Sequence, residues 1–153
     1  MNIVSLTLNS IGILAKGIRK EFAVDLRELT PIVFEKLKEK KGKVLMSCFS
    51  TMDTLLKYTL SMEDILENLR GILPSSDIKE SKENCCILIE RSLVKTNISI
   101  VKKICKPLAE MLVKTSEDKS GDVRDASLKA LGVLLVRVGE NQISKCNYKN
   151  LNK

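Results

Sequence analysis

The 153-residue sequence contains no histidine and no tryptophan, and aromatic residues make up only 3% of it. Without histidine, the chain lacks the commonest acid–base side chain, the usual activator of a cysteine nucleophile and the histidine-containing zinc spacings. Two glycine-rich motifs that bind phosphates, G-x-x-x-x-G-K-[ST] and G-x-G-x-x-G, are both absent. Few aromatic rings leave little for single-stranded nucleic acid to stack on. These absences disfavour an enzyme, and we expect no catalytic residue, no cofactor and no metal site.

The chain also lacks an apolar run of the roughly 20 residues that cross a membrane. Its apolar beginning is interrupted by Asn and Ser, and the charges of Lys16, Arg19 and Lys20 follow the apolar part, whereas a secretory signal carries its charges first. The cysteines are odd in number and form no C-x-x-C motif. We interpret them as reduced, buried residues of a cytoplasmic protein with no membrane partner.

What the sequence does have is aliphatic residues at helical spacing, within a total of 44% hydrophobic residues. The pattern predicts seven helices, at about 4–22, 26–39, 44–59, 61–73, 81–93, 98–114 and 123–138. Asp25 is a candidate N-cap, Ser61 to Asp64 resembles a capping box, and Pro107 predicts a kink or a break. We expect Leu131 and Leu134 to be buried.

Polar turns recur along the chain, at residues 40–43, 75–80 and 118–122. Val44 and Val123, which end the first and third turns, lie 79 positions apart, and the second turn lies near the midpoint. The repeat of about 40 residues is that of a HEAT-type array, in which turns of successive helix pairs align along one edge. The predicted fold class is therefore all-α, a HEAT-repeat α-solenoid of antiparallel helix pairs.

Each turn carries cations next to the positive end of the following helix. Aligned, they form what we call the basic edge: Lys40, Lys41, Lys43, Lys79, Lys82, Lys119 and Arg124. With a net charge of +7, such an edge suits an acidic partner. Periodicity alone, however, favours ordinary solvated turns, because acids surround Lys79 and Arg124.

Several segments resemble the TOG domain of the microtubule-polymerase family of microtubule-associated proteins. They are "GILAKGIRKEF" (12–22), "TPIVFEKLKEKKGKV" (30–44), "KPLAEMLVKTSED" (106–118) and "GDVRDASLKALGVLLVRVGE" (121–140). The likeness covers about residues 3–145, so we assign residues 1–145 to a partial TOG-like domain and 146–153 to a tail or the start of a further helix.

The resemblance implies a non-catalytic module that binds αβ-tubulin through its intra-repeat turns, in the cytoplasm and cytoskeleton. It implies that the residues of the basic edge are the contacts, with Arg124 reaching an acidic patch of tubulin. The sequence departs from the family pattern where Gly42, Lys79 and Gly121 stand in place of the frequent turn proline, and in lacking the tubulin-packing tryptophan. The match begins near the family's second turn, so we expect the first repeats to be missing.

Two alternatives stay open: a HEAT scaffold that binds another acidic protein, and a nucleic-acid-binding helical domain. The second would prefer a continuous basic face with fewer acids, so nucleic acid is not the expected partner. A chain that starts inside a repeat should expose an apolar face on its first helix, around Ile3, Leu6 and Ile11. We expect self-association through that face.

Overall fold

The structure, a computed structural model, describes residues 2–40 and 42–139. Its described part contains seven α-helices and no strand, which confirms the predicted all-α class. Short 3₁₀ helices at Arg19–Phe22 and Lys36–Lys38 follow the first two α-helices. The α-helices are α1 (Ile3–Ile18), α2 (Ala23–Glu35), α3 (Lys43–Tyr58), α4 (Leu66–Ile72), α5 (Lys79–Lys95), α6 (Ile98–Thr115) and α7 (Gly121–Val138).

Three local expectations need correction. Asp25 is not a cap, because α2 begins at Ala23 and its N-cap is Phe22, so Asp25 lies in the first turn. The helix predicted to open at Ser61 begins at Leu66, after a separate turn. The predicted break at Pro107 is wrong, since α6 runs without interruption from Ile98 to Thr115. Leu108 and Ala109, next to that proline, are fully buried, and this packing offsets the lost backbone hydrogen bond.

The Ser61–Asp64 segment does form a side-chain cap, but it closes the turn before α4. One carboxylate oxygen of Asp64 accepts the Ser61 N–H at 2.8 Å and the Ser61 hydroxyl at 3.1 Å. Its other oxygen accepts Arg27 Nε and Nη2, both at 3.0 Å. Although burial raises the pKa of Asp64, the hydrogen bonds from Ser61 and the pairing with Arg27 outweigh it, and the net pKa is lowered.

The described residues divide into two compact units, with the division after Leu69. In the N-terminal unit, α1 packs on α3. The helices approach closely at Gly12, where an added Cβ would lie 3.9 Å from the Thr51 backbone. Hydroxyls of α3 and of its C-cap residue donate to carbonyls on α1: Thr51 Oγ1 to Leu8 O at 2.8 Å and Thr59 Oγ1 to Ala15 O at 3.0 Å. Hydrogen bonds from the two threonine hydroxyls thus join the two helices along their contact.

In the C-terminal unit, α7 packs on both α5 and α6. Ser127 of α7 is fully buried and its hydroxyl donates to Leu112 O of α6 at 2.6 Å. Leu134 is fully buried, as predicted, whereas Leu131 is only half-buried. Contacts between alternate helices (α1 with α3, α5 with α7) and within the α6–α7 pair are those that stacked helical hairpins make.

Candidate functional site

The first turn of the basic edge belongs to the N-terminal unit. Gly42 is the N-cap of α3, with φ 108° and ψ −172°, a backbone conformation that only glycine adopts readily. Lys43, the first residue of α3, and Lys40 are exposed. Lys41 lies outside the described residues. The alignment of this turn with the other two stays a prediction.

The second and third turns both belong to the C-terminal unit, and side chains join them. Lys82 Nζ of α5 lies 2.8 Å from Asp118 Oδ2 in the third turn, and the two side chains are only 15% and 16% exposed. Lys79 Nζ lies 3.9 Å from Asp122 Oδ2, with both side chains more than half exposed. The structure therefore brings together four predicted contacts, Lys79, Lys82, Lys119 and Arg124, on what we call the paired turns (residues 75–82 and 116–124).

Asp118 organises the third turn as well as the pairing. Its Oδ1 accepts the Ser120 backbone N–H at 2.9 Å, while Oδ2 accepts Lys82. The hydrogen bond from Lys82, followed by that from the Ser120 N–H, lowers the pKa of Asp118. The carboxylate is therefore charged wherever the protein works near neutral pH.

Arg124 closes the same turn from the other side. Its Nη1 donates to the carbonyl oxygens of Asp118 at 3.0 Å and Lys119 at 3.1 Å. A cation at a helix N-terminus is mildly unfavourable, and here two turn carbonyls offset that cost within the chain. Arg124 is exposed overall, so its role as a partner contact stays a prediction beside this structural one.

Asp118 and Ser120 are not among the site residues predicted from the sequence, because those are all cations. A local signal was present: Asp-x-Ser before a helix is a pattern in which the aspartate caps a nearby backbone N–H. The 36-residue separation of Lys82 and Asp118 hides their ion pair from any local pattern.

The predicted apolar face of α1 is present. Its inward face carries Ser5, Leu8, Gly12 and Ala15, all buried. The other side carries five exposed apolar residues; only Ile11 of the predicted set is half-buried. The exposed ones are Ile3, Leu6, Ile13, Leu14 and Ile18, of which Ile3 is 79% exposed.

The four described cysteines, Cys48, Cys85, Cys86 and Cys105, are buried and form no disulfide with one another, as expected. Burial raises the pKa of Cys48 and of Cys86 to about 12. A thiol with so high a pKa does not form the reactive thiolate at neutral pH. Among residues 2–40 and 42–139 no acidic or cysteine cluster is arranged to bind a metal, and no helix there is long and apolar enough to cross a membrane.

The stacked helical hairpins, with charged turns at one end of consecutive pairs, define a HEAT-repeat helical protein. One similar solved structure is a chain from a structure of microtubule plus-end tracking by XMAP215, CLIP-170 and EB1, with TM-score 0.83 and 28% identity over 95% of this chain and 60% of that one. Curated relatives include zygote defective protein 9 of Caenorhabditis elegans, 32% identical over 143 residues, and mini spindles of Drosophila melanogaster, 31% identical over 146 residues.

These similarities confirm the resemblance found in the sequence: the chain belongs with the TOG domains of microtubule-associated proteins. The matches cover 92% and 93% of this chain but only 10% and 7% of the two curated relatives. The chain thus corresponds to a small part of those proteins. No protein-family model matches it.

Proposed function

We propose that this chain binds αβ-tubulin, or tubulin within microtubules, through the basic edge, as a non-catalytic module. The main support is the ion pair between the second and third turns, because it places the exposed residues Lys79 and Lys119 on one continuous surface. The names of the relatives, which include a spindle pole body component and a centrosomal protein, support a partner in the microtubule cytoskeleton and a location there.

The absence of catalysis is part of the proposal. The described thiols are buried, and burial raises the pKa of Cys48 and of Cys86 to about 12. Asp118, a half-buried carboxylate of the paired turns, is held ionised by Lys82 rather than kept protonated as a general acid. The charged groups of this surface are therefore suited to recognition.

The test is the affinity of the full chain for αβ-tubulin, measured by fluorescence anisotropy at two ionic strengths. The variant Lys79→Ala/Lys119→Ala removes the two exposed lysines of the paired turns and leaves Arg124, which binds the carbonyls of the third turn, in place. Each exposed ion pair contributes about 0.2–1 kcal/mol, so the double variant should bind about 2- to 30-fold more weakly. Its affinity should also depend less on salt, because exposed charges are screened.

The matched control is Lys102→Ala/Lys106→Ala, which removes the same charge from exposed positions on α6. Lys102 lies 14 residues before Ser116, where the third turn begins, and is therefore about 20 Å from that turn along the helix. If the control weakens binding as much as the turn variant, net charge and not the turns is responsible. Capture of double-stranded DNA but not tubulin would instead favour the nucleic-acid alternative, and binding of neither would leave the scaffold for another acidic protein.

We also propose self-association through the exposed face of α1. Five large apolar side chains share that face, and a contiguous apolar patch on a soluble protein commonly marks an interaction site. Sedimentation velocity should show a mass that rises with concentration, and Ile3→Ser/Ile13→Ser should abolish the rise. A concentration-independent monomer in the parent chain would reject this proposal.

A further inference from the structure

Of the two carboxylates that join the paired turns, Asp118 makes the shorter and better-covered ion pair, and it has two separate tasks. Asp118 Oδ2 reaches across to Lys82 on α5 at 2.8 Å, and Oδ1 accepts the Ser120 N–H of its own turn at 2.9 Å. Both partners of the ion pair are about five-sixths covered. Lys82 is thus poorly placed to contact a partner itself, although it is one of the contacts predicted from the sequence.

Arg124 fixes the remaining side of the third turn by binding the carbonyls of Asp118 and Lys119. Lys119 therefore lies between two restrained neighbours, with its own carbonyl bound and its side chain exposed. On the other turn, Lys79 lies three residues before Lys82, on the same helix face. Lys79 also lies 3.9 Å from Asp122, but both of those side chains are more than half exposed. The position of Lys119 relative to Lys79 is thus set mainly through the shorter and better-covered pair of Asp118 with Lys82.

Resting on the proposed function, we propose that Asp118 is a positioning residue: it locks the second and third turns in one register, so that Lys79 and Lys119 present a fixed pair of cations to an acidic partner. Preorganisation of this kind increases affinity because fewer side-chain and loop freedoms are lost on binding. Asp118 itself need not touch the partner.

The direction in which one substitution changes the affinity for tubulin tests this positioning role. Asp118→Asn keeps the shape and an oxygen for the Ser120 N–H but removes a negative charge from a surface that meets an acidic partner. Simple electrostatics predicts tighter binding to tubulin. The positioning role predicts the opposite, a loss of about two- to tenfold, because the pair with Lys82 is broken. The matched control is Glu117→Gln, which makes the same charge change at the exposed neighbouring position and should bind equally or more tightly.

A double-mutant cycle separates positioning from a general loss of structure. Lys82→Met removes the other partner, and Asp118→Asn/Lys82→Met should bind no more weakly than the weaker single variant. Circular dichroism checks that each variant is folded at the assay temperature. Tighter binding by Asp118→Asn, or additive losses in the cycle, would overturn the inference and leave the proposed function standing.

Hydrogen exchange on the protein alone covers the case in which no tubulin binding is found. In Asp118→Asn, amide exchange should accelerate in the second turn, residues 76–82, as well as in the third, although the substitution lies 36 or more positions away in sequence. Acceleration confined to the third turn would refute the coupling. No binding by the parent chain, with exchange accelerated in both turns, would reject the tubulin proposal and retain the coupling between the turns.

Discussion

Two glycines at equivalent places in their turns have different backbones, and proline should distinguish them. Gly42 precedes Val44 by two residues, as Gly121 precedes Val123. Gly42 is an N-cap with φ 108°, whereas Gly121 is already the first residue of α7. Because proline holds φ near −65°, we predict that Gly121→Pro stabilises the protein and that Gly42→Pro destabilises it.

The expected gain at Gly121 follows from three local features. The first residue of a helix has no intrahelical partner for its N–H, so proline loses nothing there. Ser120, with φ −80° and ψ 126°, already has the extended conformation that a residue before proline requires. An added Cβ would lie 3.6 Å from Arg124 Nη2, an ordinary contact. Reduced freedom of the unfolded chain should then add about 0.4–1 kcal/mol of stability.

The expected loss at Gly42 follows from its dihedral angles. With φ 108° and ψ −172°, it lies in a region occupied almost only by glycine, where another residue costs about 1–3 kcal/mol. An added Cβ has no neighbour within 4 Å, so strain and not a clash is the cause. Proline cannot adopt this φ at all, so the start of α3 must rearrange, and the loss should be at least as large.

Urea denaturation followed by circular dichroism measures both effects. Since about 1 kcal/mol shifts the midpoint temperature by roughly 2–4 °C in a chain of this size, thermal scans should place the two proline variants on opposite sides of the parent. The alanine controls isolate backbone strain: Gly42→Ala should lose stability, and Gly121→Ala should not. If Gly121→Pro destabilised the protein, or Gly42→Pro did not, the assigned turn conformations would be wrong.

Three further predictions concern the core, the acid limit and the thiols. Leu134→Ala should lower the unfolding free energy by about 2–5 kcal/mol, whereas Leu128→Ala, exposed by 55%, should change it by less than about 1 kcal/mol; equal losses would contradict the burial of α7. The pKa values of Asp118 and Asp64 lie below their ordinary 3.8, so their contribution to folding stability is present above pH 3.8 and disappears as the pH falls through the lowered values. Urea midpoints measured from neutral pH to about pH 2 should therefore fall more steeply in the parent than in Asp118→Asn. In a Cys146→Ser variant, the four buried cysteines should react with a thiol reagent at neutral pH only after denaturant is added, and fast labelling of the folded protein would contradict their burial.

Helical periodicity predicted the helices but not their ends, because the two depend on different physics. Apolar spacing reports which face is buried, and this identified Leu134 as core. A helix end depends on local caps: Asn2 accepts the Val4 N–H and starts α1, and Asn97 accepts the Ser99 N–H and starts α6. At Pro107 the helix continues although proline disfavours a helix interior, because the neighbouring residues pack into the core. The local sequence does not reveal that packing.

The candidate site was harder to predict, because acids beside its cations had two interpretations. In the sequence alone, the mixed charge of these turns favours ordinary solvent-exposed turns over a binding surface. In the structure, acids of the third turn face cations of the second, as Asp118 faces Lys82 and Asp122 faces Lys79. Such pairing needs the two turns to be neighbours in space, and local periodicity carries no information about that distance. The same mixed charge is therefore part of what joins the turns.

The distribution of charge then suggests how the two parts of the basic edge differ. The first turn, residues 40–43, holds three cations and no acid: Lys40, Lys41 and Lys43. In the paired turns the acids outnumber the cations: Asp77, Glu80, Glu117, Asp118 and Asp122 against Lys79, Lys82, Lys119 and Arg124. If the basic edge binds an acidic partner as proposed, the long-range attraction should come mainly from the first turn, and salt should screen it. Under the proposed function, selectivity in the paired turns would come from where individual cations are held, which gives a carboxylate such as Asp118 a role in a surface proposed to bind an acidic partner.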